Sequence, residues 1–511
     1  MLNGLIMFGN ALGGFLTPMT LFHVLWSTQL GIIIGMLPGL TSTMGVALLT
    51  TLTFSMPAND AILILICMYV GSIYGGSRTA ILLNIPGTPA NAATTVEGYP
   101  LALQGQAGKA IGIATTGSFL GSVVGIICMA LFAPILGTFA LKFQSYEFFW
   151  LAIFGIVICG NLTAPKDPLK GWISGFLGLF VAMIGMEGIH AFVRYSFGSV
   201  DLASGVALIP AMVGVFGFAE IISVMRHTKF DVIKTQIQHV FPSIKEIAKY
   251  WKTIIRSGIV GTFIGVIPGV GEDIAAWVSY DLAKRSAKGE EAAKFGKGSV
   301  EGLLAAETGN NACIPGAIIP VLTLAVPGSA PAAVLLGAML IHGIRPGPLI
   351  MIEFPSYIFE VTAMTLLATV AMFILGLLMV KSLVKVLLIP RQKLMPIVFT
   401  LCVIGSFALS SRLYDVSIMV VFGLIGFVLR EMEYPMAPLV LGIILGDILD
   451  KNLRRALILS DGSLVPFFTR PVSIVLMAIT MLVIISRLPF IEKAIASIKT
   501  KRQAKKSRIG G

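Results

Sequence analysis

A short motif that breaks an apolar helix occurs twice in the sequence, and polar side chains follow it each time. The pattern Gly-x-x-x-Gly-x-x-Pro-Gly stands at residues 31–39 and again at residues 261–269. Proline removes a helical hydrogen bond and glycine permits unusual backbone angles, so we expect helices to stop at Pro38-Gly39 and Pro268-Gly269. Paired breaks in corresponding halves of a membrane protein indicate a transporter's binding site. Two loops at the membrane surface are the alternative interpretation.

Breaks of this kind suit an anionic substrate, because the helix N-termini behind them present unpaired N–H groups and positive dipole ends. Hydroxyl and amide side chains near the breaks would add neutral donors and acceptors. The predicted substrate-binding residues are Pro38, Gly39, Thr41, Ser42, Ser77, Arg78, Thr79, Asn84, Pro86, Gly87, Thr88, Pro268, Gly269, Asn310, Asn311, Pro327, Gly328 and Ser329. For any single Ser, Thr or Asn among them, hydrogen bonding between helices is the simpler interpretation.

Four charged residues lie in apolar surroundings, where charge is costly and usually functional. The Arg78 guanidinium can bind a carboxylate through two parallel hydrogen bonds. Its alternatives are snorkelling to the interface and a structural ion pair with Glu307 or Asp273. The acids Glu272, Asp273 and Glu307 are candidates for carrying a proton or coordinating Na⁺. Their alternative is N-capping of the next helix, for which Asp273 is well placed.

The elements that must position these residues are membrane helices. Of the 511 residues, 56% are hydrophobic and 12% are charged, whereas a soluble protein has about 25% charged residues. We predict an all-α polytopic membrane protein with roughly 12 crossings, some of them broken or re-entrant. A re-entrant hairpin is expected in the polar stretch that begins at Gly75, and another broken region is expected to include Pro315-Gly316. The net charge of +12 lies mostly in loops and in the tail, which fits a positive-inside topology better than nucleic-acid binding.

Several function classes lack support in the sequence. The five cysteines lie singly in apolar segments and the five histidines are scattered, so disulfide and metal sites are not expected. No P-loop, nucleophile elbow or zinc-protease motif occurs, so we predict a protein that is not an enzyme. No cofactor is expected beyond a coupling ion, Na⁺ or H⁺. The first 20 residues lack a basic n-region, so we expect no cleaved signal peptide.

The chain divides into two similar halves. We predict a first membrane repeat at residues 1–224, a basic cytoplasmic linker at 225–256, a second membrane repeat at 257–470, and a last membrane helix with a basic cytoplasmic tail at 471–511. The matched residues occur in the same order in both halves. They are Pro86-Gly87 with Pro327-Gly328, Asp167, Gly175 and Gly178 with Asp415, Gly423 and Gly426, and Pro210 and Gly214 with Pro438 and Gly442. Chance matching in a glycine-rich chain is the alternative.

The loops of the two halves differ in charge, which favours inverted repeats. Residues 55–60 contain no Lys or Arg, whereas the equivalent residues 283–298 contain five. Short basic loops stay on the cytoplasmic side, so the equivalent loops are expected to face opposite sides. Against inversion, both halves end in basic segments, at residues 226–229 and 451–455.

Several long stretches resemble one family, the large membrane subunit of the tripartite tricarboxylate transporters (the TctA family). In the first half they are Gly35-Met-Leu-Pro-Gly-Leu40, Tyr74-Gly-Gly-Ser-Arg-Thr-Ala-Ile-Leu-Leu-Asn-Ile-Pro-Gly-Thr88 and Glu97-Gly-Tyr-Pro100. In the second half they are Ile267-Pro-Gly-Val-Gly-Glu-Asp-Ile-Ala-Ala276, Phe295-Gly-Lys-Gly-Ser-Val-Glu-Gly302 and Leu322-Thr-Leu-Ala-Val-Pro-Gly-Ser329.

The resemblance implies a bacterial inner-membrane permease that works with a small four-helix membrane subunit and a periplasmic solute-binding protein. Such systems take up carboxylates, driven by an ion gradient. The family's pattern often has a neutral residue at Arg78 and a less acidic one at Glu272, so the carboxylate stays open. We therefore expect import of a di- or tricarboxylate. The alternatives are a self-sufficient ion-coupled organic-anion permease and a non-transporting membrane scaffold.

Overall fold

The computed structural model describes residues 2–37, 39–164, 167–226, 240, 242–380 and 391–487. Secondary structure in this part of the chain is almost entirely helical, as the composition predicts. Three predicted features lie wholly or partly outside the described residues: the backbone at Pro38, residues 227–239 and 241 of the basic linker, and the cytoplasmic tail.

The first half contains helices of very different lengths and one small hairpin. Its α-helices are α1 (Leu2–Gly14), α2 (Pro18–Met36), α3 (Ser42–Leu52), α4 (Ala58–Leu83), α5 (Ala92–Leu103), α6 (Ala107–Ala140), α7 (Ser145–Thr163), α8 (Pro168–Ala182), α9 (Val200–Ala203), α10 (Leu208–Met212) and α11 (Ala219–Arg226). A 3₁₀ turn (Pro89–Asn91) precedes α5, and a π-helix (Val213–Phe218) joins α10 to α11. Strands β1 (Gly185–Met186) and β2 (Val193–Arg194) pair antiparallel.

The second half is also helical throughout its described residues. Its helices are α12 (Ile244–Lys249), α13 (Trp251–Val266), α14 (Gly271–Ser286), α15 (Glu290–Lys294), α16 (Val300–Leu324), α17 (Ala330–Ile341), α18 (Ile350–Glu353), α19 (Tyr357–Leu378), α20 (Arg391–Ala408), α21 (Leu413–Glu431), α22 (Met436–Leu459), α23 (Val465–Thr469) and α24 (Pro471–Ser486).

The protein is a multi-pass membrane protein. Among the described residues, seven helical segments are long and apolar enough to cross a membrane, judged by length and composition. They are Pro18–Met36, Ala58–Leu83, Ala107–Ala140, Ser145–Thr163, Leu208–Met225, Tyr357–Leu378 and Leu413–Glu431. Helix α16 lies among them and is buried along nearly its whole length, although it carries polar residues at its centre.

Both copies of the Pro-Gly motif lie between two helices. Helix α2 ends at Met36 and α3 begins at Ser42, and Gly39 between them has a φ of 99°. Helix α13 ends at Val266 and α14 begins at Gly271, with a φ of 69° at Gly269. A left-handed backbone is cheap only for glycine, which explains why this residue type stands at both positions.

A second pair of breaks ends α4 and α16 in the same way. The residue after each helix, Asn84 or Ala325, has a φ of 55°. The chain then folds back along its own helix. The Gly87 N–H donates to the Gly76 carbonyl at 3.3 Å in the first half, and the Gly328 N–H donates to the Ala317 carbonyl at 3.4 Å in the second.

Two predictions about where the helices break are wrong, because both helices continue past the expected positions. We expected the polar re-entrant stretch to begin at Gly75, but α4 continues as a helix to Leu83. The glycines there let helices approach, since a Cβ on Gly75 would strike the backbone of Ile32 on α2. We also expected a break at Pro315-Gly316, but α16 passes through it, and Thr262 donates to the Ala312 carbonyl at 3.3 Å. Side chains on neighbouring helices satisfy the backbone near such prolines.

Candidate functional site

Four helix breaks meet at one cavity of about 360 Å³. The residues that line it belong to both halves of the chain. From the four breaks they are Thr41, Ser42 and Thr43, then Thr88, Pro89 and Ala90, then Gly269, Val270, Gly271, Glu272 and Asp273, and finally Ala330 and Pro331. Residues more than 200 positions apart in sequence thus line the same cavity.

Helix N-termini surround this cavity. The Thr41 hydroxyl caps α3 by accepting a hydrogen bond from the Met44 N–H at 3.2 Å, and Ser329 caps α17 through the Ala332 N–H at 3.4 Å. Helix α14 begins at Gly271, and the 3₁₀ turn begins at Pro89. Each helix N-terminus carries a partial positive charge, so together they favour an anion in the cavity.

Charged side chains of both signs line the cavity. Glu272 and Asp273 lie in the first turn of α14. Arg430, near the end of α21, is ion-paired with Glu220 of α11, and its side chain remains 37% exposed. Sequence reasoning missed Arg430, because a basic residue at the end of an apolar run is usually an interfacial anchor. The neighbouring Tyr434-Pro435, which lies between the end of α21 and the start of α22, was the available signal.

A tyrosine of the first half holds two breaks of the second half together. The Tyr69 hydroxyl on α4 donates to the Glu272 carboxylate and lies 2.6 Å from the Ser329 hydroxyl. Tyr69 is fully buried. The starts of α14 and α17 are therefore fixed to the same point on α4.

Glu307 lies in a separate, fully buried polar cluster on α16. The Ser77 and Ser118 hydroxyls each donate to its carboxylate at 2.8 Å, and the Thr94 hydroxyl donates to it as well. These three side chains come from α4, α6 and α5. Asn311, one turn along α16, donates to Ser118 at 2.9 Å.

Most other predicted residues shape the breaks or the cluster around Glu307. Ser77 and Asn311 belong to that cluster, and Asn310 donates to the Ala90 carbonyl at 3.3 Å. The Thr79 hydroxyl donates to the Gly76 carbonyl within α4, at 3.0 Å. Residues 84–87 and 325–328 form the fold-back turns, which include Pro86 and Pro327. The Pro327 carbonyl accepts from the Gly269 N–H at 3.2 Å, beside Pro268.

Arg78 is placed apart from the cavity. Its guanidinium is buried and donates to the Gly376 carbonyl at 2.5 Å and to the Tyr74 hydroxyl at 3.0 Å. Neither Glu307 nor Asp273 forms an ion pair with it in the described part of the chain. These contacts fasten α4 to α19, and a direct contact of Arg78 with substrate stays a prediction.

Glu97 connects two of the sequence stretches that carry the resemblance. Its carboxylate accepts hydrogen bonds from the backbone N–H groups of Gly296, Gly298 and Ser299, at 2.6, 2.9 and 2.7 Å. The Tyr280 hydroxyl also donates to it, at 2.7 Å. This carboxylate of the first half thereby holds the loop before α16, where the second half carries its glycine-rich stretch.

One ion pair outside the membrane-spanning helices links α12 to α15. Lys249 donates to Glu291 at 2.9 Å. This hydrogen bond lowers the pKa of Glu291 and raises the pKa of Lys249. The stabilisation from Glu291 is present above its unfolded pKa and is lost as the pH falls through its lower folded pKa.

Comparison with known proteins finds one family and two relatives. The model of the tripartite tricarboxylate transporter TctA family matches residues 21–441. An uncharacterized 52.8 kDa protein in the TAR-I ttuC' 3'region of Agrobacterium vitis is 34% identical over 494 residues, which is 96% of each chain. An uncharacterized protein in the TAR-II ttuC' 3'region of the same organism is 34% identical over 243 residues, which is 47% of this chain and 97% of the relative.

Proposed function

The chain belongs to the tripartite tricarboxylate transporter TctA family, and from this premise we propose that it is the large permease subunit of a binding-protein-dependent secondary active transporter. It imports a di- or tricarboxylate into a bacterial cell, and a Na⁺ or H⁺ gradient drives the uptake. Its partners are a small four-helix membrane subunit and a periplasmic solute-binding protein. It resides in the inner membrane with a cytoplasmic C-terminus.

The convergence of four helix breaks on one cavity is the observation that carries this proposal. A volume of about 360 Å³ suits a small organic acid, since small-molecule sites measure about 300–1,000 Å³. The helix N-termini supply positive potential, and hydroxyls such as those of Thr41 and Ser42 supply neutral donors. A membrane scaffold that transports no substrate would not require a cavity of this kind.

Arg430 is the side chain that recognises the substrate's carboxylate in this proposal. Its guanidinium can present two parallel N–H donors to a carboxylate. In this structure, those donors face a carboxylate of the protein itself, that of Glu220. A substrate carboxylate entering the cavity exchanges with Glu220. This exchange keeps Arg430 paired before and after binding, whereas Glu220 gives up its partner when the substrate binds.

Inverted repeats are part of the same proposal, and the contacts between α4 and α16 support them. Tyr69 contacts Ser329, next to the turn that packs on Ala317, whereas Ser77 contacts Glu307. Moving forward along α4 therefore means moving backward along α16. These equivalent helices run in opposite directions, as inverted repeats require.

Matched glycines in the peripheral helices also support the repeats. A Cβ on Gly442 of α22 would strike the Gly175 carbonyl of α8. In the equivalent contact, a Cβ on Gly214 of the π-helix would press on the Gly423 backbone of α21. Gly175 is matched with Gly423 and Gly442 with Gly214, so these two contacts are equivalent under the repeat. Roughly 12 crossings in two such repeats, with the domain limits expected from the sequence, complete the proposed topology.

Uptake into proteoliposomes tests the proposed function. The complete complex would be given a panel of labelled di- and tricarboxylates, including citrate and succinate, under imposed Na⁺ or pH gradients. Gradient-driven uptake that requires the binding protein is the expected result. Uptake without the binding protein would indicate the self-sufficient permease. No uptake of any acid, in tight and correctly assembled vesicles, would contradict the proposal and favour the scaffold.

A further inference from the structure

Glu307 is a buried acid whose surroundings contain hydroxyls and amides rather than a cation. Its side chain is 0% exposed, and its described hydrogen-bond donors are the hydroxyls of Ser77, Thr94 and Ser118. A carboxylate without a positive partner is costly to keep ionised in such a place. Binding a proton removes that cost, which makes Glu307 suitable for taking up and releasing one.

Amide side chains orient two of these hydroxyls toward Glu307. The Asn91 amide donates to the Ser77 oxygen at 3.0 Å, and the Asn311 amide donates to the Ser118 oxygen at 2.9 Å. Both hydroxyl hydrogens are then free to point at the carboxylate. Thr94 accepts no hydrogen bond from another described side chain, so its hydroxyl can turn and accept from a protonated Glu307. The cluster therefore accommodates both protonation states.

Other titratable groups also lie on the helices packed against α16. They include Tyr69, Tyr74 and Arg78 on α4, Glu97 and Tyr99 on α5, Lys109 on α6, Arg256 on α13, Glu272, Asp273 and Tyr280 on α14, and Tyr357 and Glu360 on α19. None of these groups forms a described hydrogen bond or ion pair with Glu307. Lys109, for example, pairs with Glu246 at 2.7 Å, and Arg256 donates to Ser286 at 2.6 Å.

A chain of hydrogen bonds connects Glu307 to the substrate cavity. Thr88 lines the cavity, and its hydroxyl donates to the Asn91 side-chain oxygen at 2.6 Å. The Asn91 amide donates to Ser77, and Ser77 donates to Glu307. An acid that binds at Thr88 would compete with Asn91 for the hydrogen of the Thr88 hydroxyl.

We propose that Glu307 carries the co-transported proton and that the chain Thr88–Asn91–Ser77 couples its protonation to substrate binding in the cavity. The carboxylate takes one proton from the outer water and forms an O–H bond, which breaks when the proton leaves to the inner water. This inference rests on the proposed function and assigns its coupling ion.

The test compares Glu307→Gln with wild type in proteoliposomes that contain the complete complex. Glutamine resembles the protonated acid in shape but cannot release a proton. With an acid from the citrate and succinate panel, the variant should retain exchange of labelled for unlabelled substrate. Its net uptake under a pH gradient should fall by at least about tenfold, with no accompanying proton influx, because the empty carrier cannot return deprotonated. Glu301→Gln on the same helix, whose partner is Thr253 at 2.6 Å, is the matched control.

The outcomes separate this inference from the proposed function. Net uptake with proton influx in Glu307→Gln, or uptake that follows Na⁺ and moves no protons in wild type, overturns the proton assignment. No uptake by wild type overturns the proposed function instead. Should Glu307→Gln fail to assemble, Ser118→Ala decides, because it removes one donor to Glu307 outside the coupling chain and makes the carboxylate hold its proton more tightly. The pH of half-maximal uptake should rise by about one unit, and an unchanged profile contradicts the proposal.

Discussion

The guanidinium of Arg430 on α21 is ion-paired with the carboxylate of Glu220 on α11, at the wall of the cavity where four helix breaks meet. The pair joins two segments from different halves of the chain. Because Glu220 also lies close to Gly39, the pair lies beside the first break. A carboxylate substrate that reaches Arg430 therefore acts on a contact between the halves, which is where an alternating-access motion must act.

Replacing Arg430 should weaken substrate recognition. Arg430→Gln removes the positive side chain and should lower uptake at limiting substrate by at least about tenfold, because the substrate carboxylate would lose its charged partner. Arg430→Lys should recover only part of the loss, since an ammonium cannot bind two carboxylate oxygens in a fork. The measurement is the concentration dependence of uptake. Arg455→Gln, an exposed arginine on α22, is the control. Equal KM values for Arg430→Gln and this control would contradict the assignment.

Removing the Tyr69 hydroxyl should loosen the cavity without changing its charge. Tyr69→Phe leaves the Glu272 carboxylate and the Ser329 hydroxyl without their shared partner. An unsatisfied buried polar group costs about 1–3 kcal/mol, so the thermal unfolding temperature in detergent should fall. The same change at Tyr99, which is half-buried, serves as the control. An unchanged unfolding temperature for Tyr69→Phe would show that the hydroxyl does not hold the two breaks together.

Methyl groups at the tight glycines should disrupt helix packing. A Cβ on Gly35 would strike the Ser72 carbonyl, and a Cβ on Gly265 would strike the Cys313 carbonyl. Overpacking of this kind costs typically about 1–3 kcal/mol, so Gly35→Ala and Gly265→Ala should both destabilise the protein. Gly9→Ala, where no atom approaches the added Cβ, should not. Comparing thermal unfolding of the three variants tests the packing. Equal stability of all three would argue against these helix contacts.

Removing the charge of Glu97 should release the loop before α16. Glu97→Gln keeps the size of the side chain but weakens the acceptor for the Gly296, Gly298 and Ser299 N–H groups. Hydrogen bonds to a charged group contribute about 1.5–3 kcal/mol each, so hydrogen exchange at these amides should accelerate. Exposed Glu290, changed in the same way, is the control. Unchanged hydrogen exchange at these amides in Glu97→Gln would contradict the conclusion that Glu97 holds this loop.

The helix breaks were predictable because their causes are local. Glycine permits the positive φ seen at Gly39 and Gly269. The backbone groups that each break frees need hydrogen-bond partners, which the sequence also indicates. The extents of the polar stretches were not predictable in this way. Pro315 stands within a continuous helix, where the Thr262 hydroxyl donates to the nearby Ala312 carbonyl, and no sequence window contains Thr262 and Pro315 together.

The composition of the site was predictable only in part, for a similar reason. Thr41, Thr88, Glu272 and Asp273 line the cavity and follow breaks that the sequence displays. Arg430 lines it because α21 packs beside α11, which depends on tertiary structure alone. Placing it required contacts between residues far apart in the chain.

The most direct test of the substrate cavity is protection of an introduced cysteine by substrate. The native cysteines are buried, so a thiol reagent should label Ala437→Cys, whose side chain lines the cavity, and Ser410→Cys, which lines a separate cavity of about 270 Å³. The labelling rates would be measured with and without the acid that the complex transports. We predict that the acid slows labelling at position 437 and leaves position 410 unchanged. Equal labelling at position 437 with and without a saturating transported acid would contradict the assignment of this cavity as the substrate site.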